Sequence, residues 1–160
     1  MTENMTLQQQ IETSILLLIA AFLSMIIGLE RERRQRPAGL RTHMLVGLGA
    51  CLLTSLSFHA FPGSDPARVA AQVVVGIGFL GAGTIVQSKR DVHDLTTAAS
   101  IWATAAIGMA VGTGAWFMAL FATLLIWFIL AVIRRFEPEK VRLQDEKQVQ
   151  DDENWLSPDL

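Results

Sequence analysis

Four stretches of this chain hold no Asp, Glu, Lys or Arg: residues 13–29, 42–63, 69–86 and 95–133. A helix needs roughly 20 apolar residues to cross a hydrocarbon core ~30 Å thick. Backbone amides in lipid must bond within their own segment, so runs of this length are expected as helices. The last run is about two membrane thicknesses long, and Gly112, Thr113 and Gly114 lie near its middle. A turn there divides it in two. The expected spans are 11–29, 42–61, 69–86, 96–111 and 115–133, an all-α membrane domain over 1–136. Composition agrees: 51% of residues are hydrophobic and mean hydropathy is +0.39, high for a water-soluble domain. No Lys or Arg precedes Arg31, whereas a secretory signal opens on positive charge, so the first helix is expected to be retained. Cys51 stands alone inside the second span and reads as a small buried apolar residue.

Basic residues fix an orientation, because cytoplasmic loops of membrane proteins are enriched in Lys and Arg. Arg31, Arg33, Arg34, Arg36 and Arg41 follow the first span, Lys89 and Arg90 the third, and five more the fifth. Arg68 alone falls on the other side. An N-terminus outside and a C-terminus in the cytoplasm therefore place 12 of the 13 basic residues inside. Short links predict a compact bundle with sequence neighbours antiparallel. Residues 137–160 carry eight acidic and three basic side chains, a composition that reads as a mobile cytoplasmic tail.

In the third span Gly76, Gly78 and Gly81 match the dinucleotide fingerprint G-x-G-x-x-G. That motif needs a preceding strand in a βαβ unit, and an uncharged run of membrane-spanning length does not supply one. Close helix approach is the better reading, since small residues let helix backbones meet in lipid. Gly76, Gly78, Gly81 and Gly83 are expected to serve it here, Gly47 in the second span, and Gly108 and Gly112 in the fourth. The fourth span repeats small residues every four positions, Thr96, Ser100, Thr104, Gly108 and Gly112, with Trp102 and Ile107 off the stripe. Packing accounts for the stripe; the sharper alternative has Ser100 and Thr104 lining a narrow polar path.

Ionisable groups inside a membrane are the default functional candidates, and this sequence is poor in them. Gln72 lies one turn inside the third span, and no Asp or Glu falls at mid-span. A midplane carrier of Mg²⁺ would have to replace a tightly held water shell with oxygen ligands. Charge gathers instead where the chain leaves the lipid. Glu30 and Arg31 end the first span, and Arg41, Thr42 and His43 open the second. Partial desolvation of Glu30 predicts pairing with Arg41 or Arg31. On the far side Ser64 or Asp65 caps the third helix, Pro66 occupies its first turn and Arg68 faces the headgroups.

These residues carry a resemblance. Gly-Leu-Glu-Arg-Glu-Arg-Arg-Gln-Arg-Pro-Ala-Gly-Leu-Arg-Thr-His (28–43) is similar to the first signature of the MgtC/SapB family of bacterial inner-membrane proteins. Asp-Pro-Ala-Arg-Val-Ala-Ala-Gln at 65–72, with the glycine run through 85, resembles the second. Leu-Thr-Thr-Ala-Ala-Ser-Ile-Trp-Ala-Thr at 95–104, continuing to 114, resembles the third. The resemblance implies a membrane domain linked to magnesium homeostasis, to growth under low magnesium and, in pathogens, to survival inside host cells. Candidates for ligand or partner contact are Glu30, Arg31, Arg41, Thr42, His43, Arg68, Gln72, Asp94, Thr96, Thr97, Ser100 and Thr104. Family members usually have Gly where Asp94 stands, and Asp94 could cap the fourth helix instead. Many also carry a soluble ACT-like domain, of which nothing is carried over here.

Two functions follow. One is a non-enzymatic regulator that contacts other membrane proteins, as some members do with ATP synthase. The other is a small homo-oligomeric transporter or channel for Mg²⁺ or another solute. An enzyme ranks lowest, because the chain shows no metal-ligand cluster, nucleophile–base pair or P-loop lysine. No cofactor and no nucleic-acid partner are expected.

Overall fold

The computed structural model describes residues 5–59, 65–87 and 92–133. Among the described residues there are five helices: α1 (Leu7–Arg33), α2 (Leu40–His59), α3 (Pro66–Thr84), α4 (Leu95–Gly112) and α5 (Trp116–Ala131). Between α3 and α4 the two-residue strands β1 (Val86–Gln87) and β2 (Val92–His93) pair antiparallel, Val86 opposite His93 and Gln87 opposite Val92. Four helices are long and apolar enough to span a membrane; α5 is a shorter apolar helix of 16 residues. The expected cytoplasmic tail, 137–160, lies outside the described residues. The chain divides into two compact units, Met1–Trp127 and Phe128–Leu160, and the packing that follows belongs to the first.

Local chemistry sets several of the helix ends. Thr6 opens α1 with a capping box: the Gln9 amide donates to the Thr6 hydroxyl at 3.3 Å, and the Thr6 amide donates to Gln9 Oε1 at 2.9 Å. α1 closes on a Schellman turn, in which Gln35 N–H donates to Glu32 O at 2.9 Å and Arg36 N–H to Arg31 O at 3.1 Å. That turn forces Gln35 to φ +51°, a conformation that suits glycine better. Asp65 caps α3 by accepting from Ala67 N–H at 2.9 Å, with Pro66 in the first turn. The Gly-Thr-Gly turn falls where expected, again as a Schellman motif: Gly114 N–H donates to Val111 O, Ala115 N–H to Ala110 O, and Gly114 sits at φ +84°.

α2 and α4 form the centre of the bundle, and both α1 and α3 pack on each of them. From α1 to α4 sequence neighbours run antiparallel, as the short links predict, whereas α2 and α4 run parallel, with His43 beside Ser100 and Ser55 beside Gly112. Their seam is closed backbone to backbone. A Cβ built on Gly108 would stand 2.9 Å from the carbonyl carbon of Gly47, and one on Gly112 would stand 2.7 Å from the Cys51 carbonyl oxygen. A Cβ on Gly47 would collide with Ser24 of α1, and one on Gly28 would lie 2.8 Å from Leu40 Cα. Glycine is therefore required at Gly28, Gly47, Gly108 and Gly112 because helices touch there.

The glycines of α3 behave differently. A Cβ on Gly81 would make ordinary contact with Ala98, 3.6 Å from its carbonyl oxygen, but one on Gly76, Gly78 or Gly83 meets nothing within 4 Å. Within the chain, then, those three glycines do not mediate the helix approach expected of them. The polar side chains inside the bundle do tie helices together. Ser55 Oγ donates to Gly112 O at 3.2 Å, and Ser57 Oγ to Pro66 O at 3.1 Å. Ile107, expected off the packed stripe, is also buried, at 2% exposure.

Candidate functional site at the arginine-rich end

The end of the bundle where α1 stops and α2 and α4 begin gathers most of the residues singled out in the sequence. Leu40 N–H donates to Glu32 Oε2 at 2.7 Å, so the last turn of α1 caps the first turn of α2. Gly39 leaves room for that carboxylate, since a Cβ there would lie 2.9 Å from it. This clasp sets α2 against α1 and carries His43 into the interior, where it has no exposed surface.

His43 Nδ1 lies 2.9 Å from Gly39 O, an acceptor only, so Nδ1 bears the proton. Nε2 lies 3.1 Å from Ser100 Oγ, and Ser100 Oγ is also 2.8 Å from Thr97 O. With a neutral imidazole the Ser100 hydroxyl hydrogen turns to Nε2; with an imidazolium it turns to the Thr97 carbonyl. Thr104 Oγ1 bonds back to Ser100 O at 2.8 Å. Arg31 crosses from α1 to α4: it is 3% exposed, and its Nη2 donates to Thr97 Oγ1 at 2.8 Å. The Thr97 hydroxyl donates in turn to Asp94 Oδ1 at 3.1 Å. α1, α2 and α4 are thus joined through one buried line of polar groups.

Two expectations change here. Glu30 is buried at 8% exposure and pairs with Arg34, one turn along the same helix, rather than with Arg41, which is exposed. The i, i+4 spacing brings an acid and a base together on one face. Asp94 occupies the N-cap position of α4, but its side chain caps no backbone amide. It sits at φ +62°, a left-handed backbone that suits glycine better.

The remaining candidates do not join this cluster. Thr42 and Thr96 are exposed beside it, so the stripe of α4 is buried from Ser100 through Thr104 and Gly108 to Gly112 but not at its first member. Arg68 and Gln72 are exposed on α3, toward the opposite end. Sequence reasoning missed Gly28, Ser24 and Arg34; the spacing Ser24, Gly28 and the spacing Glu30, Arg34, each four residues, were the available signals. Among the described residues no three of His, Cys, Asp and Glu stand close enough together to hold a metal ion.

Polar side chains turned inward on one another, and large apolar ones such as Phe22, Leu45, Phe79 and Phe117 turned outward, invert the usual order of a protein in water. That arrangement suits a hydrocarbon solvent, and with four spanning helices it makes this a multi-pass membrane protein. The model of the MgtC family matches residues 17–138, and the chain belongs to that family. It is 42% identical to YhiD of Escherichia coli (strain K12), provisionally named a magnesium transporter, over 78% of this chain and 61% of that one. It is 38% identical to SapB of Bacillus subtilis (strain 168) over 88% of this chain and 67% of that one. It is 49% identical to MgtC of Salmonella typhimurium (strain LT2) over 69% of this chain and 47% of that one. The chain thus spans about half to two thirds of the length of these curated relatives. No solved structure matches it.

Proposed function

We propose that this chain is the membrane module of a non-enzymatic regulator in low-magnesium adaptation, acting through other membrane proteins of the bacterial inner membrane. Its arginine-rich end faces the cytoplasm in this reading, following the segregation of basic residues. The observation that carries the proposal is the closed α2–α4 seam: Gly108 lies against the Gly47 backbone and Gly112 against Cys51. Ser100 bonds His43 across that seam and Thr104 bonds back to Ser100 O of its own helix, so neither hydroxyl is left to line an open polar path between these two helices. By contrast Arg33 and Arg41 stand exposed at the rim, where a partner or anionic headgroups can meet them.

A second reading, a transporter whose path needs several protomers, draws support from Ser24 Oγ and Thr54 Oγ1, buried hydroxyls without a hydrogen-bond partner. The name given to YhiD points the same way. Affinity purification of the full chain in mild detergent tests the preferred reading. The wild type is expected to bring down a membrane protein that the double variant Arg33→Gln, Arg41→Gln loses at unchanged abundance. Equal recovery with both would remove the arginine rim from the account.

A further inference from the structure

α3 is the least covered of the spanning helices: 11% of its apolar window is buried, against 33–50% for the other three. Its inner side packs through Val73 and Gly81. At about 100° per residue, Gln72, Gly76, Phe79 and Gly83 fall within about 60° of one another on the outer side. Phe79 is 81% exposed, and Gly76 and Gly83 have open space where a side chain would be. Beside this face runs a groove of about 450 Å³ between α2 and α3, lined by residues that include Leu45, Gly49, Leu53, Gly76 and Leu80. Gln72 is the one polar residue in its lining.

Gln72 belongs to the second turn of a membrane-spanning helix, and among the described residues its carboxamide makes no hydrogen bond. An acyl chain can fill the groove, but it offers nothing to an amide. Hydrogen bonds between helices are the usual use of Gln in such a position. We propose that this face of α3 is the contact surface for a second copy of the same chain. A carboxamide carries both donors and an acceptor, so two identical ones satisfy each other. Copies inserted in one membrane share one orientation, and a twofold axis along the membrane normal sets α3 parallel to its counterpart. Each residue then faces its own level on the partner: Gln72 meets Gln72, and Phe79 of each copy lies over Gly76 and Gly83 of the other. The face holds both the projection and the space that receives it, which is what an isologous contact requires. This inference is independent of the regulatory reading.

Single-molecule photobleaching of the tagged full chain in lipid vesicles, over a series of protein-to-lipid ratios, tests it. The wild type is expected to bleach in two steps down to low ratios. The double variant Gly76→Leu, Gly83→Leu should weaken association at least tenfold, as should Gln72→Leu. A Cβ at either glycine meets nothing within 4 Å in the protomer, and unfolding midpoints equal to wild type separate lost association from lost folding. Gly78→Leu fills equally open space about 130° away around the helix, and it should leave the dimer unchanged. One-step bleaching at every ratio would overturn the proposal, as would a dimer indifferent to Gly76→Leu and Gly83→Leu.

Discussion

A single methyl group at Gly108 tests the seam on which the bundle closes. The added Cβ would stand 2.9 Å from the carbonyl carbon and 3.0 Å from the Cα of Gly47, atoms of a backbone that cannot rotate aside. Ordinary carbon contacts lie at about 3.5–4.0 Å, so α2 and α4 must part by roughly 0.5–1 Å, forfeiting a quarter to a half of each dispersion contact along the seam. Overpacking of this kind costs about 1–3 kcal/mol before those losses. Alanine returns up to about 1 kcal/mol of helix propensity. The expected net cost of Gly108→Ala is therefore about 2–3 kcal/mol, at the upper end of the overpacking range. Gly76→Ala is the control. It meets nothing within 4 Å, so only propensity acts, and stability should stay level or rise by up to about 1 kcal/mol. Reversible unfolding in mixed micelles, dilute enough to hold single protomers, measures both. Equal costs for the two substitutions would refute the backbone contact.

Two further substitutions probe the turns and the buried polar line. Gln35→Gly should stabilise the protein by up to about 1 kcal/mol in the same unfolding assay, whereas Gly114→Ala should destabilise it by about 1–2 kcal/mol, because both positions hold a left-handed backbone. A loss for the first or no effect for the second would contradict the Schellman geometry. Thr97→Val keeps the side-chain shape but removes the hydroxyl that Arg31 donates to, with an expected cost of about 1.5–3 kcal/mol for a hydrogen bond to a charged group. Thr96→Val, at the neighbouring exposed position, should fall within about 0.5 kcal/mol of wild type; a similar cost at both positions would remove the cross-helix bond from the account.

Much of this architecture is visible in the sequence because lipid imposes length and charge rules that need no tertiary information. The uncharged runs locate the helices, Asp65 and Pro66 mark the start of α3, and Gly112–Gly114 mark the turn before α5. Which side of each helix faces inward is far less legible. A soluble helix declares its buried side by amphipathicity, but a helix in lipid is apolar all round. Spacing shows that small residues share a face without showing what the face meets. The stripe of α4 does lie at the seam, whereas Gly76, Gly78 and Gly83 look outward from α3. The polar cluster was legible as residue types at one membrane border, but its pairing was not. Glu30 chose Arg34 by helical spacing, and the Arg31–Thr97 bond joins residues 66 apart, beyond the reach of any local pattern. Asp94 shows the same limit: the sequence marks it as a helix-capping residue, while its conformation is set by how the chain turns into α4.

The central claim is that this chain acts by contact rather than by moving ions. Purified full chain reconstituted into liposomes that enclose a magnesium-sensitive dye tests it directly, with an imposed Mg²⁺ gradient and enough protein for several copies per vesicle. Influx is expected to be no faster than in protein-free liposomes, at all gradients and with or without a membrane potential. Saturable influx that scales with protein content, and that Gly108→Ala abolishes, would contradict it and place the transport reading first.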